Sequence, residues 1–143
     1  MTDTQYQFPQ LFLRLALAVT MLSAVADRFG WWSPENSSWG NMKSFEEYTR
    51  SLTSVFPEAL SAFSAYAATF LEIVFPLMLI AGFKTRIAAY GSSVLLLIFA
   101  VSMTIASGPK APLNYSVWVA SAGALLLAVQ QRYSFSIDQL TKK

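Results

Sequence analysis

The sequence contains no cysteine and no histidine in its 143 residues. Without cysteine the chain cannot form a disulfide, a dithiol redox motif, or a cysteine-ligated iron–sulfur or zinc site. Without histidine it cannot hold histidine-ligated haem or copper, and five methionines alone make a poor metal site. We therefore expect no metal site and no covalently bound cofactor. Any redox role would require an organic carrier or a partner subunit.

Charged residues are also scarce, at 13% of the chain against roughly 25% in ordinary soluble domains. Hydrophobic residues make up 55%, and the mean hydropathy is +0.44. These values are typical of a membrane protein, and the length corresponds to one domain over residues 1–143. The formal net charge of +2 is too small to indicate binding to nucleic acid.

Four long apolar stretches predict four membrane-spanning helices, at residues 8–27, 59–83, 87–107 and 112–131. Helices are expected because backbone groups in lipid must be paired within the segment. The last two connections, at residues 84–86 and 107–112, are short, so neighbouring helices should be antiparallel. Gly82 is a suitable stop for the second helix. The predicted fold is an all-α, integral membrane four-helix bundle.

A polar segment of about thirty residues separates the first two spans. Within it, Ser44 and Glu47 have the spacing of a capping box, and apolar residues then recur at helical intervals until Pro57. We predict a short extracytoplasmic amphipathic helix that lies on the membrane surface. Three tryptophans in this segment fit an interfacial aromatic belt: Trp31, Trp32 and Trp39.

Basic residues are unevenly divided between the two sides of this topology. The side that holds both termini carries six: Arg14, Lys84, Arg86, Arg132, Lys142 and Lys143. The other side carries four: Arg28, Lys43, Arg50 and Lys110. By the positive-inside rule, we expect both termini in the cytoplasm and a multi-pass location in a bacterial-type cytoplasmic (inner) membrane.

Glu72 is the only charged residue between Ala59 and Phe83. A charge deep in a bilayer costs about 2.5–3.5 kcal/mol or more, so it usually faces the protein interior and has a partner. If Asp27 and Ala59 share the outer boundary, Arg14 and Glu72 both lie about 20 Å deep on antiparallel helices. We therefore predict an ion pair between Arg14 and Glu72.

Pro76 lies four residues after Glu72 and cannot donate to its carbonyl group. This free carbonyl, together with Arg14 and Glu72, would make a small polar pocket. The pair would serve either as a functional site or only to fix the register of the two helices.

Two further groups of polar residues each have two interpretations. Asp27 and Arg28 would either anchor the outer boundary or line the mouth of a pocket under the amphipathic helix. Asn114 and Tyr115 would either contribute polar lining on the same side or only begin the fourth helix. Small residues in helices three and four, such as Gly91, Ser93 and Ser121, favour close packing of those helices.

Several segments of the chain resemble the DoxX family. The most specific combines Glu72, an apolar run, Gly82, the basic turn with Arg86, and small residues up to Ala89. Further similar segments lie at residues 13–17, 27–31, 39–48 and 110–116, and the resemblance covers about residues 9–130.

The resemblance implies a four-helix membrane bundle. Some DoxX proteins are subunits of thiosulfate:quinone oxidoreductase, and others associate with sulfur or oxidative-stress enzymes. The family's bundle is also compared with thiol-oxidising quinone proteins. This sequence departs from those proteins because it has no cysteine, so a thiol–disulfide relay is excluded. The resemblance draws attention to Arg14, Glu72 and Arg86.

Three functional hypotheses follow. In the first, the chain is a quinone-interacting or accessory subunit of a membrane oxidoreductase complex, and quinone is its cofactor. Arg14 and Glu72 would then be catalytic, Arg14 donating to a quinone oxygen and Glu72 carrying a proton. Asn114 and Tyr115 would complete the cofactor-binding site. In the second hypothesis, the chain is a non-catalytic scaffold that docks a partner protein. In the third, it is a conduit for a small molecule or for protons. The expected partners are the lipid bilayer, an oxidoreductase subunit and other copies of the chain.

Overall fold

Helices account for nearly all of the regular structure. The computed structural model describes residues 3–141, and within that range there is no strand. The α-helices in that range are α1 (Asp3–Arg28), α2 (Met42–Leu52), α3 (Glu58–Ala81), α4 (Thr85–Ser107), α5 (Lys110–Asn114), α6 (Val117–Ala128) and α7 (Ile137–Thr141). A short 3-10 turn covers Pro34–Asn36. Lys142 and Lys143, counted above among the basic residues, lie outside the described residues.

Three of these helices are long and apolar enough to cross a membrane: Gln5–Arg28, Glu58–Ala81 and Thr85–Ser107. At 1.5 Å per residue each measures about 35 Å, which exceeds the roughly 30 Å hydrocarbon core of a bilayer. The all-helical, membrane-protein class predicted from the sequence is therefore confirmed.

The fourth predicted span, at residues 112–131, is not one continuous helix. α5 ends at Asn114, and Ser116 has φ +55°, a left-handed conformation with which an α-helix of L-residues does not continue. α6 has only 12 residues, or about 18 Å. The prediction of an unbroken helix was wrong because hydropathy measures composition and carries no signal for the backbone conformation of Ser116.

α2 begins differently from the prediction. Its N-cap is Asn41, whose side chain accepts a hydrogen bond from the Ser44 backbone N–H at 2.9 Å. The helix therefore starts before Ser44, so the predicted capping box of Ser44 and Glu47 was wrong. α2 contacts both α3 and α4 and buries Phe45.

The three tryptophans of the segment between α1 and α3 are not equivalent. Trp31 and Trp32 are exposed, as an interfacial belt requires. Trp39 instead packs edge-on against Phe45, with ring centroids 5.1 Å apart. Trp39 therefore belongs to the packing of α2 against the bundle.

The contact between α4 and α6 is the most extensive between two helices among the described residues. Ser93 Oγ donates to the Ser121 carbonyl at 2.9 Å, and Ser121 Oγ donates to the Ser93 carbonyl at 2.8 Å. This reciprocal pair satisfies four polar groups inside the bundle. The predicted close packing of small residues is confirmed.

The residues from Gln130 to Thr141, which we call the C-terminal segment, close one end of the bundle. Gly82 ends α3 in the left-handed conformation with φ +66°, as predicted. A Cβ atom at this position would also collide with Ser136 of the C-terminal segment. Asp138 accepts hydrogen bonds from the backbone N–H groups of Lys84 and Thr85, both at 2.7 Å, and so caps the start of α4. We call this the inner end, because the predicted topology places it in the cytoplasm.

Asp138→Asn is expected to lower the free energy of unfolding by about 1 kcal/mol, because an amide is a weaker acceptor than a carboxylate at a helix N-terminus. Thermal unfolding in one detergent, followed by circular dichroism, would measure the effect. Glu47→Gln is the matched control, since Glu47 is exposed on α2. Equal melting temperatures for the two variants would refute the capping role.

Candidate functional site

A buried ion pair joins the outer end of α1 to the middle of α3. Arg28 Nη1 donates to Glu72 Oε2 at 2.5 Å, and the two side chains are only 2% and 3% exposed. The same Nη1 donates to Thr69 Oγ1 at 2.9 Å. Thr69 lies one turn before Glu72 on α3, so both face α1. Glu72 thus has the interior partner that its apolar surroundings require.

Aromatic rings enclose the guanidinium group of Arg28. Its Cζ lies 3.6 Å from the centroid of the Phe45 ring and 5.4 Å from that of Trp39. Cations are attracted to such ring faces, most strongly where water is excluded. Arg28 Nε is buried and has no hydrogen-bond partner in the structure. A buried donor without an acceptor is costly, so this atom marks a place where a ligand oxygen or a water would be favoured.

The predicted ion pair between Arg14 and Glu72 was wrong. Arg14 is fully buried, but it lies at the inner end of the bundle. It donates to four backbone carbonyls: Leu79 at 2.9 Å, Ile80 at 3.3 Å, Ser134 at 2.8 Å and Phe135 at 3.1 Å. These carbonyls belong to the last turns of α3 and to the C-terminal segment, so Arg14 holds those two parts of the chain together.

The error came from the assumed register of α1 against α3. The prediction placed both helices at a common outer boundary, which sets Arg14 opposite Glu72. In the structure Arg14 bonds to the carbonyl of Leu79, which lies seven residues, or about 10 Å, further along α3. α3 therefore extends beyond the outer end of α1, and Arg28, the last residue of α1, reaches Glu72 instead.

Asp27 is the second charged residue at the outer end of α1, and it is 6% exposed. Its carboxylate accepts hydrogen bonds from Ser37 Oγ and from three successive backbone N–H groups. These belong to Ser38 at 2.9 Å, Trp39 at 3.1 Å and Gly40 at 3.3 Å. Asp27 thus holds the turn that precedes α2 over the end of α1.

Apolar residues separate the two buried arginines. Between Arg14 and Asp27 the buried side chains of α1 are all hydrophobic, namely Leu17, Ala18, Met21 and Val25. The neighbouring helices complete this layer with Leu79, Ala88, Leu95 and Leu127 among others. No buried charge lies in this layer among the described residues. The outer and inner polar clusters are therefore distinct sites.

Asn114 and Tyr115, predicted to line the cofactor site, lie at the exposed junction of α5 and α6. Neither hydrogen-bonds to Arg28 or Glu72. Tyr115 is 69% exposed and is close enough to Tyr48 of α2 to affect its ionisation. Burial raises the pKa of the Tyr48 phenol, and the neighbouring Tyr115 adds to the rise.

A cavity of about 810 Å³ lies at the inner end, between the start of α1 and residues 130–139. Two hydrogen bonds of Gln10 cross this cavity to the C-terminal segment. Gln10 Nε2 donates to the Arg132 carbonyl at 2.6 Å, and Gln10 Oε1 accepts from the Ser134 N–H at 2.9 Å. These bonds add to those of Arg14 in fixing the C-terminal segment. Among the described residues, no group of three or more acidic side chains could hold a metal ion.

Comparison with known protein families gives one match. The DoxX family model matches residues 10–105, about two thirds of the chain. The chain belongs to the DoxX family. The matched region contains Arg14, Arg28 and Glu72, whereas α6 and the C-terminal segment lie outside it. No curated protein and no solved structure gives a significant match.

Membership in the DoxX family agrees with the three apolar helices, and both indicate a membrane protein. The sequence predicted that Glu72 has a buried ion-pair partner, but the predicted partner, Arg14, was the wrong arginine. One sequence signal did favour Arg28, because Asp27 and Arg28 stand together where the first apolar stretch ends. Their use in a pocket mouth was one of the two interpretations given above.

Proposed function

We propose that this DoxX protein is the membrane subunit of a quinone-linked oxidoreductase complex, and that the quinone head group binds at Arg28 and Glu72. The observation that carries the proposal is the unpartnered Nε of Arg28, buried beside an ion pair and beneath aromatic rings. Family membership supports the association with an oxidoreductase. The electrons would come from a partner subunit, since the chain has no cysteine or histidine to hold a redox centre.

Charge favours a neutral ligand at this site. Arg28 and Glu72 cancel each other, so an anion would add an unbalanced charge where the dielectric constant is low. A carbonyl oxygen satisfies the Nε donor without changing the net charge. Arg28 would then stabilise negative charge as the quinone is reduced, and Glu72 would carry one of the two protons that reduction to a quinol consumes.

The remaining parts of the proposal concern topology and partners. α5 and α6 together would form the fourth transmembrane segment, completing a four-helix bundle in the bilayer. α2, with its exposed Lys43 and Glu47, would form the outer amphipathic helix. The termini would lie in the cytoplasm, and the membrane would be a bacterial-type cytoplasmic membrane. The chain would associate with an oxidoreductase subunit and with further copies of itself.

The apolar layer between Arg14 and Arg28 is an argument against a conduit. A proton or ion would have to cross buried hydrophobic side chains, and no charged residue lies among them in the described part of the chain. A separate observation supports the docking of a partner protein. Three hydrophobic side chains at the outer end are exposed: Trp31 by 76%, Val55 by 85% and Phe56 by 54%. These residues would form the partner surface in a non-catalytic role.

Titration of the purified protein in detergent with a short-chain benzoquinone tests the binding site. Saturable binding is expected, with a Kd raised at least about tenfold by Arg28→Lys and by Glu72→Gln. One hydrogen bond to a charged group contributes about 1.5–3 kcal/mol, which corresponds to this factor. Quenching of tryptophan fluorescence would report binding, since Trp39 lies beside the site.

Arg50→Lys and Glu46→Gln are matched controls, because they make the same chemical changes in a partly exposed ion pair on α2, which Arg50 extends to Glu58 at the start of α3. They should bind the quinone as the unmodified protein does. If the folded protein shows no saturable binding, or if all four variants bind equally, the quinone site is refuted and the docking role becomes the better account.

A further inference from the structure

Residues 37–52 cover the buried ion pair from the outer side. Phe45 of α2 is 4% exposed and lies directly on the guanidinium group of Arg28. Met42, also of α2, places its sulfur 3.8 Å from Thr69 Oγ1. Because Arg28 and Glu72 are almost fully covered, no ligand can contact them unless some part of this cover moves.

The carboxylate of Asp27 holds the end of this cover that lies nearest to α1. This near end consists of residues 37–40. Asp27 accepts four hydrogen bonds from residues 37–40, and no other side chain of α1 bonds to that turn among the described residues. A carboxylate that accepts several backbone N–H groups forms charge-assisted bonds, which are stronger than neutral ones. Asp27 directly precedes Arg28 in the chain. The residue that binds the cover is therefore next to the residue that the cover buries.

The two ends of the cover differ in how they are attached. At the near end the chain turns through Gly30, with φ +71°, where a Cβ atom would lie 3.1 Å from the Gly40 carbonyl. At the far end Thr53 Oγ1 donates to Ser61 Oγ at 2.7 Å. Only five residues there connect α2 to α3. The far end is therefore tied to α3 by the short connection itself, whereas the near end is held by the Asp27 bonds.

We propose that residues 37–52 form a lid over the Arg28–Glu72 site and that Asp27 is its latch. Release of the turn from Asp27 allows α2 to swing away from α1 and from the surfaces of α3 and α4 on which it packs, while its far end stays attached to α3, and this uncovers Arg28 and Glu72. Lid motions of this kind admit ligands and then exclude water. The proposal rests on the proposed function for the identity of the ligand, but the opening itself is a property of the protein alone.

The absence of cysteine makes the opening measurable without any ligand. Thr69→Cys places a single thiol under the lid, next to Glu72, in place of a side chain of similar size. The rate of its reaction with N-ethylmaleimide reports how often the lid opens. Ser92→Cys places a thiol at a fully buried position of α4 away from the lid and serves as the control.

Asp27→Asn in the Thr69→Cys protein is expected to raise the labelling rate at least about tenfold, because an amide cannot accept all four bonds and one charged bond alone accounts for this factor. Ser37→Ala removes one bond and should raise the rate about two- to threefold on the same grounds. Neither change should alter labelling in the Ser92→Cys protein. Selective acceleration at residue 69 would support the lid.

The lid is refuted if Asp27→Asn leaves the labelling of residue 69 unchanged, or if it accelerates labelling at residues 69 and 92 equally. The second result would mean that Asp27 stabilises the whole bundle. Should the Asp27→Asn protein fail to fold, the Ser37→Ala pair decides between the same outcomes. No quinone is present in these measurements, so they can succeed even if the proposed quinone site is wrong.

Discussion

Glu72→Lys is expected to lower the free energy of unfolding by about 3–5 kcal/mol or more, whereas Glu46→Lys should change it by less than about 1 kcal/mol. Breaking a buried ion pair leaves an uncompensated charge, and a lysine at this position would face Arg28 directly. Glu46 pairs with Arg50, whose side chain is 45% exposed, and surface pairs of this kind contribute little. Thermal unfolding in detergent and the yield of folded protein would measure both effects.

A double-mutant cycle identifies the partner of Glu72. Arg28→Ala and Glu72→Ala should show a coupling energy of about 1–3 kcal/mol, because each change removes the same interaction. Arg14→Ala and Glu72→Ala should be additive within about 0.5 kcal/mol, since the two side chains lie in different clusters. Coupling between Arg14 and Glu72, or equal stability of Glu72→Lys and Glu46→Lys, would contradict the structure.

Arg14→Ala is expected to destabilise the protein by about 3 kcal/mol or more. The guanidinium group donates to four backbone carbonyls, and each hydrogen bond to a charged group contributes about 1.5–3 kcal/mol in favourable geometry. Arg14→Lys should recover only part of the loss, because an ammonium group cannot reproduce the planar arrangement of donors. Lys43→Ala, at an exposed position of α2, is the control.

Deletion of residues 132–143 tests whether Arg14 stabilises the protein by binding the C-terminal segment. The deletion removes two of its four acceptors, together with the Asp138 cap of α4. Because both changes disrupt the same contacts, Arg14→Ala in the shortened chain should cost clearly less than in the full chain. If the two losses simply add, the C-terminal segment and Arg14 stabilise the protein independently, which would contradict the contacts between them.

The candidate site was half predictable from the sequence. A lone glutamate in a long apolar stretch must have a partner, and that requirement follows from solvation alone. Which arginine supplies the partner depends on the register of α1 against α3. A thirty-residue connection between them leaves that register free. Side-chain packing fixes it, through contacts such as those of Met21, Ala68 and Leu95, which lie far apart in the sequence.

The fold likewise has some features that the sequence predicts and others that only the tertiary structure shows. The lengths of α1, α3 and α4 and the stop at Gly82 follow from local hydropathy and local backbone preference. The break at Ser116 does not, although the residues that follow it are as apolar as those of the other spans. The C-terminal segment is short and polar in sequence, yet Arg14, Gln10 and Gly82 all contact it. Those contacts join residues more than a hundred positions apart, except at Gly82.

The sequence by itself determined that this is a helical membrane protein, that it belongs with the DoxX family, that it contains neither cysteine nor histidine, and that Glu72 needs a cationic partner. The tertiary structure decided that Arg28 is that partner, that Arg14 serves the inner end, and that α2 covers the site. The first set depends on the chemistry of each segment in lipid and water. The second depends on how far one helix slides along another, which is settled only when their side chains pack.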